Sequence, residues 1–312
     1  MTRALVFPGQ GSQFIGMGKS LADAEDAARL VFEEVDDALS QKLSKIMWEG
    51  SDDELRLTEN TQPALMAVSM AVIRTLEAGG VNVAGIASHV AGHSLGEYSA
   101  LAATGAFSVA DTARLLKLRG QAMQRAVPVG EGAMAAILGL SLDDVKAVAE
   151  EAAQGDVVVA ANDNADGQVV ISGHKAAVVR AIDMAKEKGA KRGVLLPVSA
   201  PFHCPLMQPA ADEMKAALAD VSIERPCLPV IANVLAAPIS EPKGISNLLV
   251  EQITGAVRWR ESVGSMSSLG VTQMVEVGAG KVLSGLARRI DRSLATANLQ
   301  EPADIEAFAA TL

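Results

Sequence analysis

Ser94 sits in VAGHSLGEY, residues 90–98, two positions after Gly92 and two before Gly96. A serine hydroxyl attacks a carbonyl only when a base takes its proton and the backbone exposes its oxygen. Glycines at both flanking positions supply the exposure, because a side chain at either would crowd a sharp strand-to-helix turn. The apolar run before Ser94 reads as a strand and the segment from Leu95 as a helix. The helix start aims its free N–H groups and positive dipole end at the serine, so the Leu95 N–H suits one half of an oxyanion hole. The bland alternative is a tight turn in which Ser94 merely caps the helix.

Four histidines compete for the role of base: His89, His93, His174 and His203. His93 adjoins the serine, but neighbouring side chains on an extended stretch point to opposite faces. His89 lies at the start of the strand, far from the turn. His174 opens a later helix and reads as solvated. By elimination His203, in VSAPFHCPLM, is the base, against the alternative of a loop histidine bonded locally. No acidic residue declares itself as a third member. An orienting carbonyl suffices there, since the third group only has to fix the imidazole tautomer and angle.

The elements that must hold these groups follow an α/β pattern of alternating apolar runs and helical periods. Residues 4–7 read as a strand ending at Pro8-Gly9. Residues 61–79 read as a helix with Thr61 as N-cap, Pro63 in the first turn and Gly79 as its stop. A strand over 87–91 leads to Ser94, and helices follow over 95–104 and 109–126. Residues 133–195 then read β-α-β-β-α-β, with Ser141 capping the first helix and Gly189 ending the second, an order that matches the ferredoxin-like unit. We expect a small domain at 129–196 inserted into a larger one formed by 1–128 and 197–312. The larger one resumes with helices near 205–219, 246–254, 259–269, 281–291 and 302–311, and strands near 228–233 and 273–277.

Composition bounds the rest. The 312 residues are 49% hydrophobic and 21% charged, ordinary for a soluble globular protein, and with only 3% aromatics the core must be aliphatic. A net charge of −10 argues against nucleic-acid binding. No run is long enough to span a membrane, no signal peptide is visible, and Cys204 and Cys227 form no CxxC pair, so a reducing cytoplasm fits best. Four histidines without HExxH make a metal site improbable.

Taken together, the chain resembles the malonyl-CoA:acyl-carrier-protein transacylases of fatty acid synthesis. The resemblance runs through FPGQGSQ at 7–13, TQPAL at 61–65, GHSLGEYSAL at 92–101 and RGQAMQ at 119–124. It continues through the NDN-x₃-GQVVISG run at 162–173, SAPFHCPLM at 199–207, EQITGAVRW at 251–259 and VEVGAGKVL at 275–283. One departure is Ala279, where many members carry proline. The resemblance implies an α/β fold, a hydrolase-like core with a mainly parallel sheet plus a ferredoxin-like insert. It implies that Ser94 is acylated and His203 is its base. Gln10 would join the Leu95 N–H at the oxyanion, and Gln252 would orient the pair, with a backbone carbonyl near it in place of the triad acid. Gln62 would contact substrate, and Arg119 would hold the free carboxylate of the malonyl group. That last role makes physical sense, because a guanidinium fork grips a carboxylate with two parallel bonds that lysine cannot copy. Phe202 would crowd the acyl α-carbon and favour malonyl over methylmalonyl. Coenzyme A enters as a thioester substrate, and no cofactor or metal is implied.

The implied partner, acyl carrier protein, is acidic, so docking needs a local basic patch on this acidic chain. Two clusters qualify: Lys186, Lys188, Lys191 and Arg192 on the insert, which we prefer, and Lys281, Arg288, Arg289 and Arg292. A monomer is expected. The nearest rival is a serine esterase or thioesterase passing the acyl group to water. A Ser-Asp hydrolase using Asp166-Gly167 fails because that pair lies on the small insert. Nucleotide binding fails too, since GQGSQFIG and GAGKV match neither the dinucleotide fingerprint nor the P-loop. A noncatalytic binding module is disfavoured by the intact set of Ser94, His203, Arg119 and Gln10.

Overall fold

The computed structural model describes residues 1–198 and 200–312. Ser199, the first residue of the SAPFHCPLM run, therefore lies outside the described residues. Among the described residues ten strands form two sheets: β1 (Arg3–Phe7), β2 (His89–Gly92), β3 (Gly132–Leu138), β4 (Val158–Ala165), β5 (Gln168–His174), β6 (Arg192–Leu195), β7 (Val230–Ala232), β8 (Ala237–Ile239), β9 (Gln273–Val277) and β10 (Ala295–Leu299).

The larger sheet has the order β10-β9-β1-β2-β7-β8. It is parallel from β10 to β7, and β8 closes it as an antiparallel edge. Its central strand explains the layering. In β1 the side chains of Leu5 and Phe7 enter one core while Ala4 and Val6 enter another, the period-two alternation of a strand buried on both faces. Helices cover both faces. Three of them, Asp26–Leu39, Thr58–Ala78 and Val109–Arg125, pack on the Leu5 side, and Trp259–Ser268 and Val282–Ile290 pack on the Val6 side.

Residues from β3 to β6 follow the order β-α-β-β-α-β and form a four-stranded antiparallel sheet, β4-β5-β3-β6. One face, with Ala133, Ala135, Ile137, Val169 and Ile171, buries against its own helices Leu142–Ala153 and Lys175–Glu187. The other face, with Met134 and Val170, joins the Leu5-side core. The two sheets thus enclose a cleft. It is pinned where Val257 pairs with Asn162 of β4 and where Arg260 grips Asp163 at 2.9 Å.

Most expected elements stand, and the deviations have local causes. The helix expected at 61–79 begins at Thr58, and Thr61 is not its cap; its hydroxyl donates to Leu55 O at 2.6 Å from inside the helix. Pro63 sits beyond the first turn. Strands β8 and β10 were not expected, because short edge strands exposed on one side carry no continuous apolar run. The N-terminal helices Lys19–Ala24, Asp26–Leu39 and Leu43–Glu49 were also unread. Among the described residues no helix is long and apolar enough to cross a membrane.

Candidate active site

Three neighbouring strands, β1, β2 and β7, deliver the site at their C-terminal ends, where ligands gather in open α/β sheets. Past β1 come Gly9 and Gln10, past β2 comes Ser94, and past β7 comes Asn233. Ser94 adopts φ 54° and ψ −109°, a conformation non-glycine residues rarely take. Both flanking glycines are required by contact. A Cβ on Gly92 would lie 1.9 Å from Gly96 C, and one on Gly96 would lie 2.2 Å from Phe7 O. A Cβ on Gly9 would lie 2.6 Å from His93 O, so the Gln10 loop also needs glycine to approach the turn. Asn233 ties the strained turn on both sides: its Oδ1 accepts from Ser94 N at 2.7 Å and its Nδ2 donates to Gly92 O at 2.7 Å.

His203 meets the serine from the loop before Pro205, itself at φ 58°. Its Nδ1 lies 2.8 Å from Gln252 O. A carbonyl only accepts, so Nδ1 carries the proton and Nε2 is the free acceptor, 2.8 Å from Ser94 Oγ. Burial, followed by the Arg119 charge, pushes the imidazole down to about 3, so the ring is neutral throughout the physiological range. The orienting group is thus the carbonyl of Gln252 itself.

Arg119 is 1% exposed, yet all its bonds go to neutral oxygens: Gln62 Oε1 at 2.8 Å, Gln252 Oε1 at 2.9 Å and Ser94 Oγ at 3.0 Å. Its Nε has no partner among the described residues. The guanidinium also lies 5.6 Å from the centre of the Tyr98 ring. A buried cation bonded only by neutral groups is poised for an anion that displaces them. The Leu95 N–H likewise has no acceptor among the described residues, whereas Gly96 and Glu97 donate to His93 O and Ser94 O.

A cavity of about 160 Å³ opens between the two sheets and is lined by Gln10, Gln62, Ser94, Leu95, Arg119, Phe202 and His203, with Met134 and Val170 from the small sheet. Gln252 does not line it. That residue is fully buried, with its carbonyl on His203 Nδ1. Among the described residues no cluster of side chains could hold a metal ion.

Residues 4–299 match the family model for an acyl transferase domain. The chain is 46% identical over 310 residues to the malonyl CoA-acyl carrier protein transacylase of Bacillus subtilis, covering 99% of this chain and 96% of that protein. The solved acyl-carrier-protein-S-malonyltransferase of Bartonella henselae superposes with a TM-score of 0.98 at 57% identity, covering 100% of this chain and 99% of that one.

The chain belongs to the malonyl CoA-acyl carrier protein transacylase family.

A further solved relative, a malonyl-transacylase in complex with a type II PKS acyl-carrier protein, matches over 100% of both chains at 41% identity and a TM-score of 0.97. Within this transacylase fold the other histidines bond partners other than Ser94, although His93 also lines the cavity. His93 Nε2 bonds Asn164 Oδ1 at 2.9 Å, and His89 bonds Ser88. His174, at the start of the helix Lys175–Glu187, keeps its side chain 38% exposed, while its Nδ1 accepts from Val157 N at 2.9 Å. Sequence reasoning missed Glu97 and Asn233. The helix Leu95–Ala103 is apolar on nearly every side, which marks it as buried and its single acid as enclosed. Nothing in the run IANVL singles out Asn233.

Proposed function

We propose that the chain moves a malonyl group from malonyl-CoA to the phosphopantetheine thiol of acyl carrier protein through a malonyl-Ser94 intermediate. One observation carries the assignment of roles: Ser94 Oγ lies 2.8 Å from His203 Nε2 and 3.0 Å from Arg119 Nη2, so nucleophile, base and carboxylate holder converge on one oxygen. His203 Nε2 takes the serine proton as Oγ attacks the thioester carbon. The carbonyl oxygen gains its charge beside the Leu95 N–H and the Gln10 amide. Collapse expels coenzyme A, protonated by His203, and the steps reverse when the carrier thiol enters. Arg119 meanwhile releases Ser94 Oγ to take the malonyl carboxylate, with Gln62 beside it and Phe202 against the α-carbon. These steps use thioester, hydroxyl and imidazole alone.

Ordinary α/β-hydrolase chemistry would pass the acyl group to water with the same pair. Intact mass spectrometry separates the two readings. After mixing with malonyl-CoA, a malonyl adduct is expected on the protein, absent in Ser94→Ala, stable without acceptor and discharged by holo carrier protein. Rapid loss to water without carrier would favour the hydrolase.

We read residues 1–128 and 197–312 as a hydrolase-like domain and 129–196 as a ferredoxin-like insert, supported by the antiparallel order β4-β5-β3-β6. We read the enzyme as a cytoplasmic monomer. Carrier docking is proposed on the insert, at the end where β6 begins. Lys186 and Lys188 are paired with Asp183 and Glu151 at 3.0 Å each, which leaves Lys191 and Arg192 to meet an acidic partner. In the alternative cluster, Arg288 and Arg289 are bonded to Thr296 and Gln168.

A further inference from the structure

Among the described residues no carboxylate bonds His203, yet one stands a single residue further out. Glu97 is the third residue of the helix Leu95–Ala103 and is 3% exposed. Its Oε2 accepts from Gln252 Nε2 at 2.8 Å and from Asn233 N at 3.0 Å. Gln252 O receives His203 Nδ1–H, and Asn233 Oδ1 receives Ser94 N–H. Two chains of hydrogen bonds, one from the base and one from the nucleophile, therefore end on the same carboxylate oxygen. Resting on the reading of Ser94 and His203 as nucleophile and base, we propose that Glu97 is a positioning residue for acyl transfer, doing through Gln252 and Asn233 what a triad acid does by direct contact.

The chemistry of the Gln252 amide makes the case concrete. Arg119 on one side is donor-only, and an ionised carboxylate on the other is acceptor-only. Between them the amide has one tolerable orientation, with Oε1 toward Arg119 and Nε2 toward Glu97 and Ser94 O. A flipped amide would set N–H against N–H and oxygen against carboxylate. Fixing that side chain fixes the residue whose carbonyl holds His203. Without the carboxylate, two buried donors lose their acceptor. Ionisation matters because a charged acceptor binds donors more strongly than a neutral one.

Among the described residues, two titratable groups act on Glu97: Tyr98 on its own helix and Arg119 from Val109–Arg125. Burial raises the Glu97 carboxyl to about 7, against the pull of the Asn233 and Gln252 hydrogen bonds and the Arg119 charge. As pH falls through that value Glu97 takes a proton and its hold on both chains weakens. His203 stays neutral there, so the acid limb of acylation belongs to Glu97.

The test is quenched-flow acylation of Ser94 read by intact mass, at saturating malonyl-CoA and acetyl-CoA, across about pH 5 to 9. For the parent a rise centred near neutrality is expected. Glu97→Gln, which keeps shape and an acceptor oxygen, is expected to lose that rise. Glu97→Ala is expected to acylate at least about tenfold more slowly with both thioesters. Three results would overturn the proposal: an unchanged acid limb in Glu97→Gln, a parental rate in Glu97→Ala, or a loss confined to malonyl-CoA. If Glu97→Ala fails to fold, the Glu97→Gln profile alone decides. A parent that forms no adduct on Ser94 would instead overturn the nucleophile.

Discussion

Arg119 carries its charge into a place where every bonded neighbour is neutral, and on the proposed mechanism that is the source of selectivity. An acyl group with a free carboxylate compensates the guanidinium, whereas an acetyl group leaves it as it was. Truncation should therefore remove discrimination rather than chemistry. For Arg119→Ala we expect malonyl transfer to fall by roughly a hundredfold or more, with acetyl transfer changed by less than about tenfold. Equal losses would mean that Arg119 serves only to place Ser94. Arg119→Lys should recover little, because an ammonium cannot span Gln62, Gln252 and an incoming carboxylate with a planar fork. Comparing kcat/KM for the two thioesters measures both outcomes.

Those side chains are only as well placed as the elements beneath them. The helices Thr58–Ala78 and Val109–Arg125 bring Gln62 and Arg119 together, and Gly120 lets them approach. A Cβ there would lie 2.6 Å from Glu59 Cα and 2.7 Å from Thr58 O, backbone atoms that cannot step aside without moving a helix. Gly120→Ala should cost about 1–3 kcal/mol through overpacking. Since Arg119 is the adjacent residue, it should also raise KM for malonyl-CoA. Thermal melting with steady-state kinetics checks both, and an unchanged melting temperature would show that the helices separate freely. The nucleophile's turn follows the same logic, with Gly92 and Gly96 in contact across it and Asn233 bonding both its arms.

At the scale of the molecule the cavity exists because two sheets face each other, joined at Val257–Asn162 and Arg260–Asp163. A second hollow that shares Gln10 and Val198 with the cavity is lined by Pro197, just past β6, and by Asp53, Arg56 and Leu57. Lys191 and Arg192 stand at the start of β6, beside Leu138 at the far end of β3, on a chain whose overall charge is negative. Reversing Lys191 and Arg192 to glutamate should raise KM for carrier protein by about tenfold while leaving acylation by malonyl-CoA unchanged. The difference should shrink as salt rises. An unaltered KM would move the docking site elsewhere.

Local physics made much of this protein legible. Strand periodicity announced β1, β2 and β9, and the glycines around Ser94 announced a bent strand-to-helix turn. Ser141 and Asp144 marked a helix start that the structure contains, with Ser141 Oγ accepting from Asp144 N at 3.1 Å. Each of these signals lies within a few residues of its effect. Thr61 shows the limit even there, since a plausible cap lost to a helix that packing extended backward to Thr58. What tertiary structure alone decided was which distant groups share an oxygen. Glu97, Asn233 and Gln252 lie far apart in the chain, and only the sheet order and the packing of the helix Pro242–Thr254 bring them into one network. The same burial fixes protonation: water is excluded from His203 and Glu97, so their charges answer to neighbours rather than to residue type.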